Sequence, residues 1–272
     1  MHPELLHLGP IHLRSYGVML ALAFLVGTVL GLREARRLGL DEDKLVNVIL
    51  ITLVASVLGA RALYVIEHLD EFRRQWGSVL ALWQGGLTLY GGVVAGAIAG
   101  LTAAQRFGMP RWLVADALAP SVALGTMFGR VGCFLNGCCY GRPTSLPWGV
   151  KFPPGSFAAL EFGDVPVHPS QLYNAAAGLA LFLVFWTLRK RFRTPGVLFW
   201  SMLALFAIVR VPIDMTRSYE PGAIMVRGAI QLTESQAFSL VLAGFSLLMI
   251  LRLRREAAAA APPDATRAGT GT

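Results

Sequence analysis

Long apolar runs of about twenty residues are the feature that most constrains how this chain can fold. Seven of them recur along the sequence, at about 16–35, 44–66, 86–105, 113–129, 171–188, 195–212 and 233–251. A helix of about 20 apolar residues crosses a bilayer core about 30 Å thick, and only helices or closed barrels satisfy the backbone there. The pattern therefore predicts an all-α polytopic membrane protein with about seven transmembrane helices.

The composition agrees with a membrane protein and leaves no room for a large soluble domain. Hydrophobic residues make up 55% of the chain and charged residues 15%, against about 25% charged in a typical soluble domain. We expect residues 1–256 to form a single integral-membrane domain and residues 257–272 to form a disordered cytoplasmic tail. The first run is too long, and lacks the cleavage-site pattern, for a removable signal peptide.

The formal net charge of +8 is explained by membrane orientation and does not indicate nucleic-acid binding. More than half of the 24 basic residues follow alternate runs, within 33–44, 106–111, 189–193 and 252–255. The positive-inside rule makes that side cytoplasmic. We therefore predict an outer N-terminus and a cytoplasmic C-terminus.

Polar side chains gather at the predicted outer ends of the runs. They are Tyr16, Arg61, Gln84, Arg130, His168, Gln171, Tyr173, Arg210, Asp214, Arg217, Gln231 and Glu234. Arginine matches phosphate oxygens bidentately, so several arginines at headgroup depth predict a polar cavity for an anionic lipid. The alternative is that each arginine extends to the interface or pairs with an acid, and Asp214 is spaced to pair with both Arg210 and Arg217.

Residues 129–143 open the longest predicted outer loop, 130–170, and contain all three cysteines of the chain. Arg130 requires a partner because an unpaired charge at membrane depth is costly, and an anionic ligand is one candidate. Asn136 offers both a donor and an acceptor, for a ligand or as a cap. His168, which precedes a proline, has either a structural or a binding role.

The three cysteines leave several pairings open. A bridge from Cys133 to Cys138 or to Cys139, or a strained vicinal Cys138–Cys139 ring, is compatible with an outer location. A zinc site would use the same thiols, but the adjacency of Cys138 and Cys139 gives poor ligand spacing. We therefore predict no metal.

Three shorter segments carry local predictions. Gly92, Gly96 and Gly100 repeat every four residues, which predicts close helix packing. Residues 67–85 form an outer connection with Trp76 and Trp83, in keeping with the preference of tryptophan for the membrane interface. Residues 1–15 are an outer segment that we interpret as an interfacial helix.

The order of motifs along the chain resembles the prolipoprotein diacylglyceryl transferases. The main match is Gly129-Arg130-Val131-Gly132-x-Phe134-Leu135-Asn136-Gly137, followed by Gly141-Arg142-Pro143-Thr144. The others are Tyr16-Gly17, Gly59-Ala60-Arg61 with Tyr64, Gly85-Gly86-Leu87 with Gly91-Gly92, His168-Pro169-Ser170-Gln171-Leu172-Tyr173, and Arg210-x3-Asp214-x2-Arg217. The resemblance extends over most of the chain, and these ordered matches are specific when taken together.

The resemblance implies a multi-pass enzyme of the bacterial inner membrane that begins lipoprotein maturation. It would move the diacylglyceryl group of phosphatidylglycerol to the lipobox cysteine thiol of a prolipoprotein signal peptide, with release of glycerol 1-phosphate. Arg130 would hold the lipid phosphate, and Arg210 or Arg217 would bind the headgroup or the leaving phosphate. Tyr16 would line the cavity and Asn136 would support it. The implied chemistry requires no metal or organic cofactor.

The remaining site predictions follow the same resemblance. We place Arg61, His168 and Gln171 among the substrate-binding residues and Tyr90 among the catalytic residues. Tyr90 is a departure, because the family commonly has histidine there. Cys133 and Cys138 are two more, in place of asparagine and glutamate.

These departures leave the base and the acceptor open. A tyrosine with a pKa of about 10 is a poor base near neutral pH, so the thiol loses its proton either to a perturbed Tyr90 or elsewhere. The alternatives are a related lipid transferase with another acceptor or cysteine-dependent chemistry, and a lipid or anion transporter. A transporter should open its cavity to both sides, whereas the inner halves of these runs are apolar.

Overall fold

Helices make up most of the part of the chain that the computed structural model describes, residues 4–8, 11–73, 76–82, 85–219, 224–226 and 232–260. Two strands, β1 (Glu4–Leu8) and β2 (Ile11–Arg14), pair antiparallel before the first helix. The helices are α1 (Ser15–Leu38), α2 (Glu42–Glu67), α3 (Leu69–Phe72), α4 (Leu89–Arg106), α5 (Arg111–Asn136), α6 (Phe157–Phe162), α7 (Ser170–Leu188), α8 (Val197–Met215) and α9 (Glu234–Ala259). A second antiparallel pair, β3 (Ile224–Val226) with β4 (Leu232–Thr233), precedes α9.

The apolar helices confirm the prediction of a polytopic membrane protein. Within the described residues, α1, α2, α5, α7, α8 and α9 are long and apolar enough to cross a bilayer. Only 11% to 33% of their most apolar windows are buried inside the protein, which leaves the other side chains for contact with lipid. Helix α4 coincides with the third predicted run but is rich in glycine and falls outside that set. The count of seven spans and the orientation of the termini stay predictions.

Several predicted boundaries differ from the structure. Residues 4–8 and 11–14 form the β1–β2 pair instead of an interfacial helix, and the alternation of apolar and polar residues in Ile11–Arg14 fits the period of a strand. Helix α5 continues to Asn136 instead of ending at residue 129, because the first residue with left-handed backbone is Gly137, at φ +75°. Trp83, Gln84, Gln231 and residues 261–272 of the predicted tail lie outside the described residues.

The chain divides into two compact units, one of residues 31–117 and one of residues 1–30 with 118–272. In the first unit, α2 and α4 pack closely through small residues. A Cβ atom on Gly100 would lie 2.7 Å from Thr52 Oγ1 of α2, and Gly92 and Gly96 both face Ser56. The predicted packing role of these glycines is confirmed.

In the second unit, α5, α7 and α8 share a hydrophobic core of Ala119, Ala123, Leu181, Phe185, Leu198 and Met202. The connection from α5 to α7 has a small core of its own, in which Phe152, Ala158 and Val167 are buried against Phe134 and Tyr140. This second core holds the connection over the end of α5, where the predicted site residues lie.

Candidate functional site

The last turns of α5 carry Arg130, Cys133 and Asn136 on one continuous helix. Tyr16, at the start of α1, packs against these turns: a Cβ atom on Gly132 would lie 3.1 Å from Tyr16 Cδ2. Gly132 therefore permits the close approach of the two helices. Tyr16 and Arg130, predicted as site residues from different runs, are brought together here.

The three cysteines converge beside this helix end. Their sulfur atoms all lie within 4.8 Å of one another, and the Cys138 amide donates a hydrogen bond of 3.1 Å to the Cys133 carbonyl. Cys139 has φ +60° and is the only non-glycine residue with positive φ in the described chain. Since this conformation is unfavourable for a residue with a Cβ atom, the arrangement of the thiols is held by its surroundings.

Buried hydrogen bonds from α7 fix the cysteine segment. Gln171 is fully buried, and its Nε2 donates to the Cys138 carbonyl at 2.8 Å. The Gly141 amide donates to the His168 carbonyl at 3.0 Å, and a Cβ atom on Gly141 would lie 2.5 Å from that oxygen. His168 Nδ1 lies 3.3 Å from the Tyr173 hydroxyl. In this structure Gln171 and His168 therefore support the backbone of the site.

The segment after Cys139 also pairs with the residues that follow α8. The Arg142 amide donates to the Thr216 carbonyl at 2.9 Å, and the Ser218 amide donates to the Tyr140 carbonyl at 3.2 Å. Arg142 Nε adds a hydrogen bond of 3.1 Å to the Arg217 carbonyl. These bonds bring Arg217 to the cysteines.

Asp214 joins two of the predicted arginines, as its spacing indicated. Its carboxylate is 1% exposed and lies 3.2 Å from Arg210 Nε and 3.7 Å from Arg217 NH1. The Ser235 hydroxyl, at the start of α9, donates to Asp214 Oδ2 at 2.6 Å and accepts from Arg210 NH2 at 2.7 Å. The pairing is therefore a buried network and not a surface contact.

The charge of Arg217 is maintained in a buried position. Burial opposes its ionisation, but Tyr219, Cys139 and Asp214 together raise the pKa of its guanidinium. Arg217 NH1 donates to the Tyr219 hydroxyl at 3.1 Å. Its Nε is buried and has no hydrogen-bond partner among the residues that the structure describes.

Arg130 differs from the other two arginines in having no acid beside it among the described residues. Within the described ranges its guanidinium forms no ion pair, although its charge acts on both Tyr16 and Cys139. Hydrogen bonds from the Cys133 and Cys138 thiols lower the pKa of the Cys139 thiol, and the charges of Arg217 and Arg130 lower it further. The Cys138 thiol lies 3.7 Å from the Cys133 carbonyl, and Asn136 ends α5 beside it. The second unit thus places Arg130 and Arg217 near the cysteine thiols, and Arg210 and Arg217 beside the Asp214 carboxylate.

Arg61 and Tyr90 belong to the other unit. Arg61 is 5% exposed and donates to four backbone carbonyls, of Ser78, Val79, Gly85 and Gly86, at 2.6 to 3.1 Å. These bonds hold the connection between α3 and α4, and the binding role of Arg61 stays a prediction. Tyr90 is 40% exposed at the start of α4, and its catalytic role likewise stays a prediction.

The geometry of the second unit coincides with a family match over nearly the whole chain. The sequence model of the prolipoprotein diacylglyceryl transferase family matches residues 3–252. The chain belongs to this family.

Curated relatives from this family match the chain along almost their full length. A phosphatidylglycerol–prolipoprotein diacylglyceryl transferase of Geobacter sulfurreducens is 32% identical over 259 residues, which cover 93% of this chain and 96% of the relative. The protein of that name in Trichormus variabilis is 31% identical over 275 residues, with 96% and 95% covered. The one in Clostridium tetani is 30% identical over 259 residues, with 94% and 100% covered.

Two contacts in this family member were not predicted from its sequence. Ser235 bridges Asp214 and Arg210 from α9, and no local pattern relates a serine to an acid 21 residues earlier. Tyr219 follows Arg217 by two residues and accepts a hydrogen bond from it. The sequence did contain a signal for this contact, because the aromatic residue lies so close to the arginine along the chain. Both residues extend the site beyond the motifs.

Proposed function

We propose that this protein transfers the diacylglyceryl group of phosphatidylglycerol to the lipobox cysteine thiol of prolipoproteins, as the first step of bacterial lipoprotein maturation. The observation that carries the proposal is the arginine group, Arg130, Arg210 and Arg217, in a member of this family. Asp214 pairs with Arg210 and Arg217, and the charges of Arg217 and Arg130 both act on Cys139. Thiol sulfur attacks the glyceryl carbon that bears the phosphate, a carbon–sulfur bond forms, and the carbon–oxygen bond breaks. Glycerol 1-phosphate leaves with the electron pair of the broken bond, and the thiol proton passes to the departing phosphate or to water.

The charge of the arginine group suits the change in charge during this reaction. Three guanidiniums and the Asp214 carboxylate leave a formal charge of +2, and the site stays positive when the Cys139 thiol, whose pKa is lowered, is ionised. The phosphodiester of the substrate carries one negative charge, and the departing phosphomonoester gains most of a second because its second pKa is about 6. Positive groups fixed in advance stabilise the product-like charge more than the starting charge, which lowers the barrier.

Within the arginine group, the contacts support a division of roles. Arg130 has no ion pair in the described part of the chain, so it is the guanidinium most available to a phosphate. Arg217 supports a second contact through its Nε, which has no hydrogen-bond partner in the described part of the chain. Arg210 is bound on one side by Asp214 and Ser235, and we assign it to the leaving headgroup while Asp214 holds its orientation.

The other site residues complete the proposal. Tyr16 and Asn136 line the end of α5, and His168 and Gln171 maintain the segment that carries it. Arg61 contributes by holding the connection before α4, and a catalytic role is proposed for Tyr90. The apolar helices support a multi-pass location, and we place the protein in the bacterial inner membrane with the site facing outward.

The test uses the purified full chain in liposomes that contain phosphatidylglycerol and a lipobox peptide. We expect the peptide mass to increase by the diacylglyceryl group and glycerol 1-phosphate to be released, with neither product from a peptide that has serine for cysteine. Arg130→Ala should reduce transfer at least about 100-fold. Lys151→Ala is the matched control, because Lys151 is a half-exposed cation of the same connection, paired with Asp164.

Absence of the thioether product, with an active relative run in parallel, would reject the proposal. Flux of labelled lipid or anion across the liposome membrane without chemical conversion would replace it with transport.

A further inference from the structure

The cysteine cluster, Cys133, Cys138 and Cys139, has a geometry that the arginine group does not explain. Phosphate binding requires cations, and thiols beside the guanidiniums add nothing to it. Yet three sulfur atoms lie within 4.8 Å of one another, and Cys139 reaches this position only with left-handed backbone at φ +60°. A conformation that is costly for a non-glycine residue indicates a function for the sulfur.

The arrangement matches a soft-metal site more closely than a disulfide. A disulfide bond uses two sulfur atoms, so it does not explain why the third lies equally close. Zinc binds thiolate sulfur at about 2.3 Å, which places tetrahedral ligands about 3.8 Å apart. Sulfurs already within 4.8 Å therefore need shifts of about 1 Å at most to share one ion. The adjacency of Cys138 and Cys139, which argued against a metal in the sequence, is overcome by the turn at Cys139.

The surroundings favour a metal bound by three thiolates. Such a centre carries one net negative charge with a divalent ion, and the charges of Arg217 and Arg130 act on Cys139, so they stabilise the loaded cluster. The Cys138 carbonyl is held by buried Gln171 at 2.8 Å, which fixes the segment before any ion binds. Holding ligands in place in this way is what strengthens metal sites.

Within the described residues the cluster offers three ligands, and a tetrahedral ion takes four. Zinc sites with three protein ligands and one open position are the catalytic type, whereas structural sites are closed. The nucleophile of the proposed reaction is itself a thiol, which is a soft ligand that loses its proton when it binds a metal.

We propose that the cysteine cluster binds a soft divalent metal, zinc above all, whose open position takes the thiol of the acceptor peptide. This role rests on the proposed function. The thiol binds the ion and releases its proton to water, and the metal-held thiolate sulfur then forms the bond to the glyceryl carbon. The carbon–oxygen bond breaks, the phosphate leaves with its electrons beside the arginine group, and the thioether product dissociates from the ion.

The first experiment measures the metal alone. The full chain is purified without a histidine tag, reduced, loaded with Zn²⁺, desalted and measured by elemental mass spectrometry, and Co²⁺ loading is followed by thiolate-to-metal absorption. We expect about one bound ion per chain and thiolate-to-metal absorption. Both should be retained in Lys151→Ala and lost in Cys133→Ser and in Cys139→Gly. Glycine accepts φ +60°, so Cys139→Gly should unfold at or above the temperature of the unchanged protein. Loss of metal binding in this variant is therefore not explained by loss of folding.

Three results would overturn the metal site. They are fewer than one ion per ten chains, equal loading in the Cys133→Ser/Cys139→Gly double variant, and a disulfide between any two of the cysteines in protein isolated from membranes without reductant.

The second experiment tests the open position. Adding the lipobox peptide to the Co²⁺-loaded protein should shift the absorption, and the peptide with serine for cysteine should leave it unchanged. Stripping the metal should slow transfer about 30-fold at pH 7, the factor expected when a thiol of pKa about 8.5 must ionise unaided.

An unchanged spectrum with the cysteine peptide, or transfer unaffected by stripping, would overturn the role of the ion. The loading and spectral measurements need no lipid, so they test the metal site independently of the transferase activity.

Discussion

Replacing Asp214 with asparagine tests whether a buried acid holds Arg210 and Arg217 in place. The carboxylate is 1% exposed, lies 3.2 Å from Arg210 and 3.7 Å from Arg217, and accepts from Ser235 at 2.6 Å. Removing one partner of a buried ion pair costs about 3–5 kcal/mol. The asparagine oxygen can still accept from Ser235, so we expect the lower end, about 3 kcal/mol.

A loss of that size is measurable by thermal unfolding. At about 2–4 °C per kcal/mol for a chain of this size, the midpoint in detergent should fall by about 6–12 °C. The KM for phosphatidylglycerol should rise at the same time, because Arg210 loses the group that orients it. Tryptophan fluorescence against temperature and a lipid titration of transfer measure the two effects.

Asp164→Asn is the matched control. It removes one carboxylate from an ion pair of 2.7 Å whose side chains are 55% and 85% exposed, and exposed pairs contribute about 1 kcal/mol or less. Its midpoint should stay within about 3 °C of the unchanged protein. If Asp214→Asn unfolds at the temperature of this control and binds lipid normally, the buried network does not hold the arginines and the reasoning fails.

Three further predictions concern single side chains. Arg130→Ala should reduce transfer at least about 100-fold, because about 3 kcal/mol of charge-assisted hydrogen bonding in the transition state is lost. Its unfolding midpoint should stay within about 2 °C of that of the unchanged protein. A large fall in the midpoint would contradict the assignment of Arg130 to phosphate binding. Gly141→Ala should destabilise the protein by about 1–3 kcal/mol, because the added Cβ would lie 2.5 Å from the His168 carbonyl, and unchanged chemical denaturation would refute this. Arg61→Gln should chiefly lower stability, since four carbonyls lose their donor; a variant that unfolds normally but shows a raised KM would return Arg61 to substrate binding.

Local rules were sufficient for the parts of this molecule that depend on neighbours in sequence. The apolar runs have the length of spanning helices, and the spacing from Arg210 to Asp214 and Arg217 places the three charges together. The glycine repeat from Gly92 to Gly100 likewise predicted a close helix contact.

The features that escaped prediction depend on backbone geometry or on distant segments. The convergence of the thiols depends on one left-handed residue, Cys139, and cysteine is not a residue type associated with that conformation. The hydrogen-bond partners of Arg61 are backbone carbonyls, which leave no side-chain pattern in the sequence. Ser235 reaches Asp214 only because α9 packs beside α8, and a single sequence gives no measure of that contact.

The contact between α2 and α4 also has a consequence for handling the protein outside the membrane. Gly59 and Gly91 face each other across it, so that a Cβ atom on Gly59 would lie 2.7 Å from the Gly91 carbonyl. Adhesion of this kind comes from van der Waals contact between backbones, which does not depend on excluding water from large side chains. Exchanging lipid for detergent changes little in such a contact, so this helical hairpin should stay paired through extraction and serve as a fixed reference for labels that report motion elsewhere.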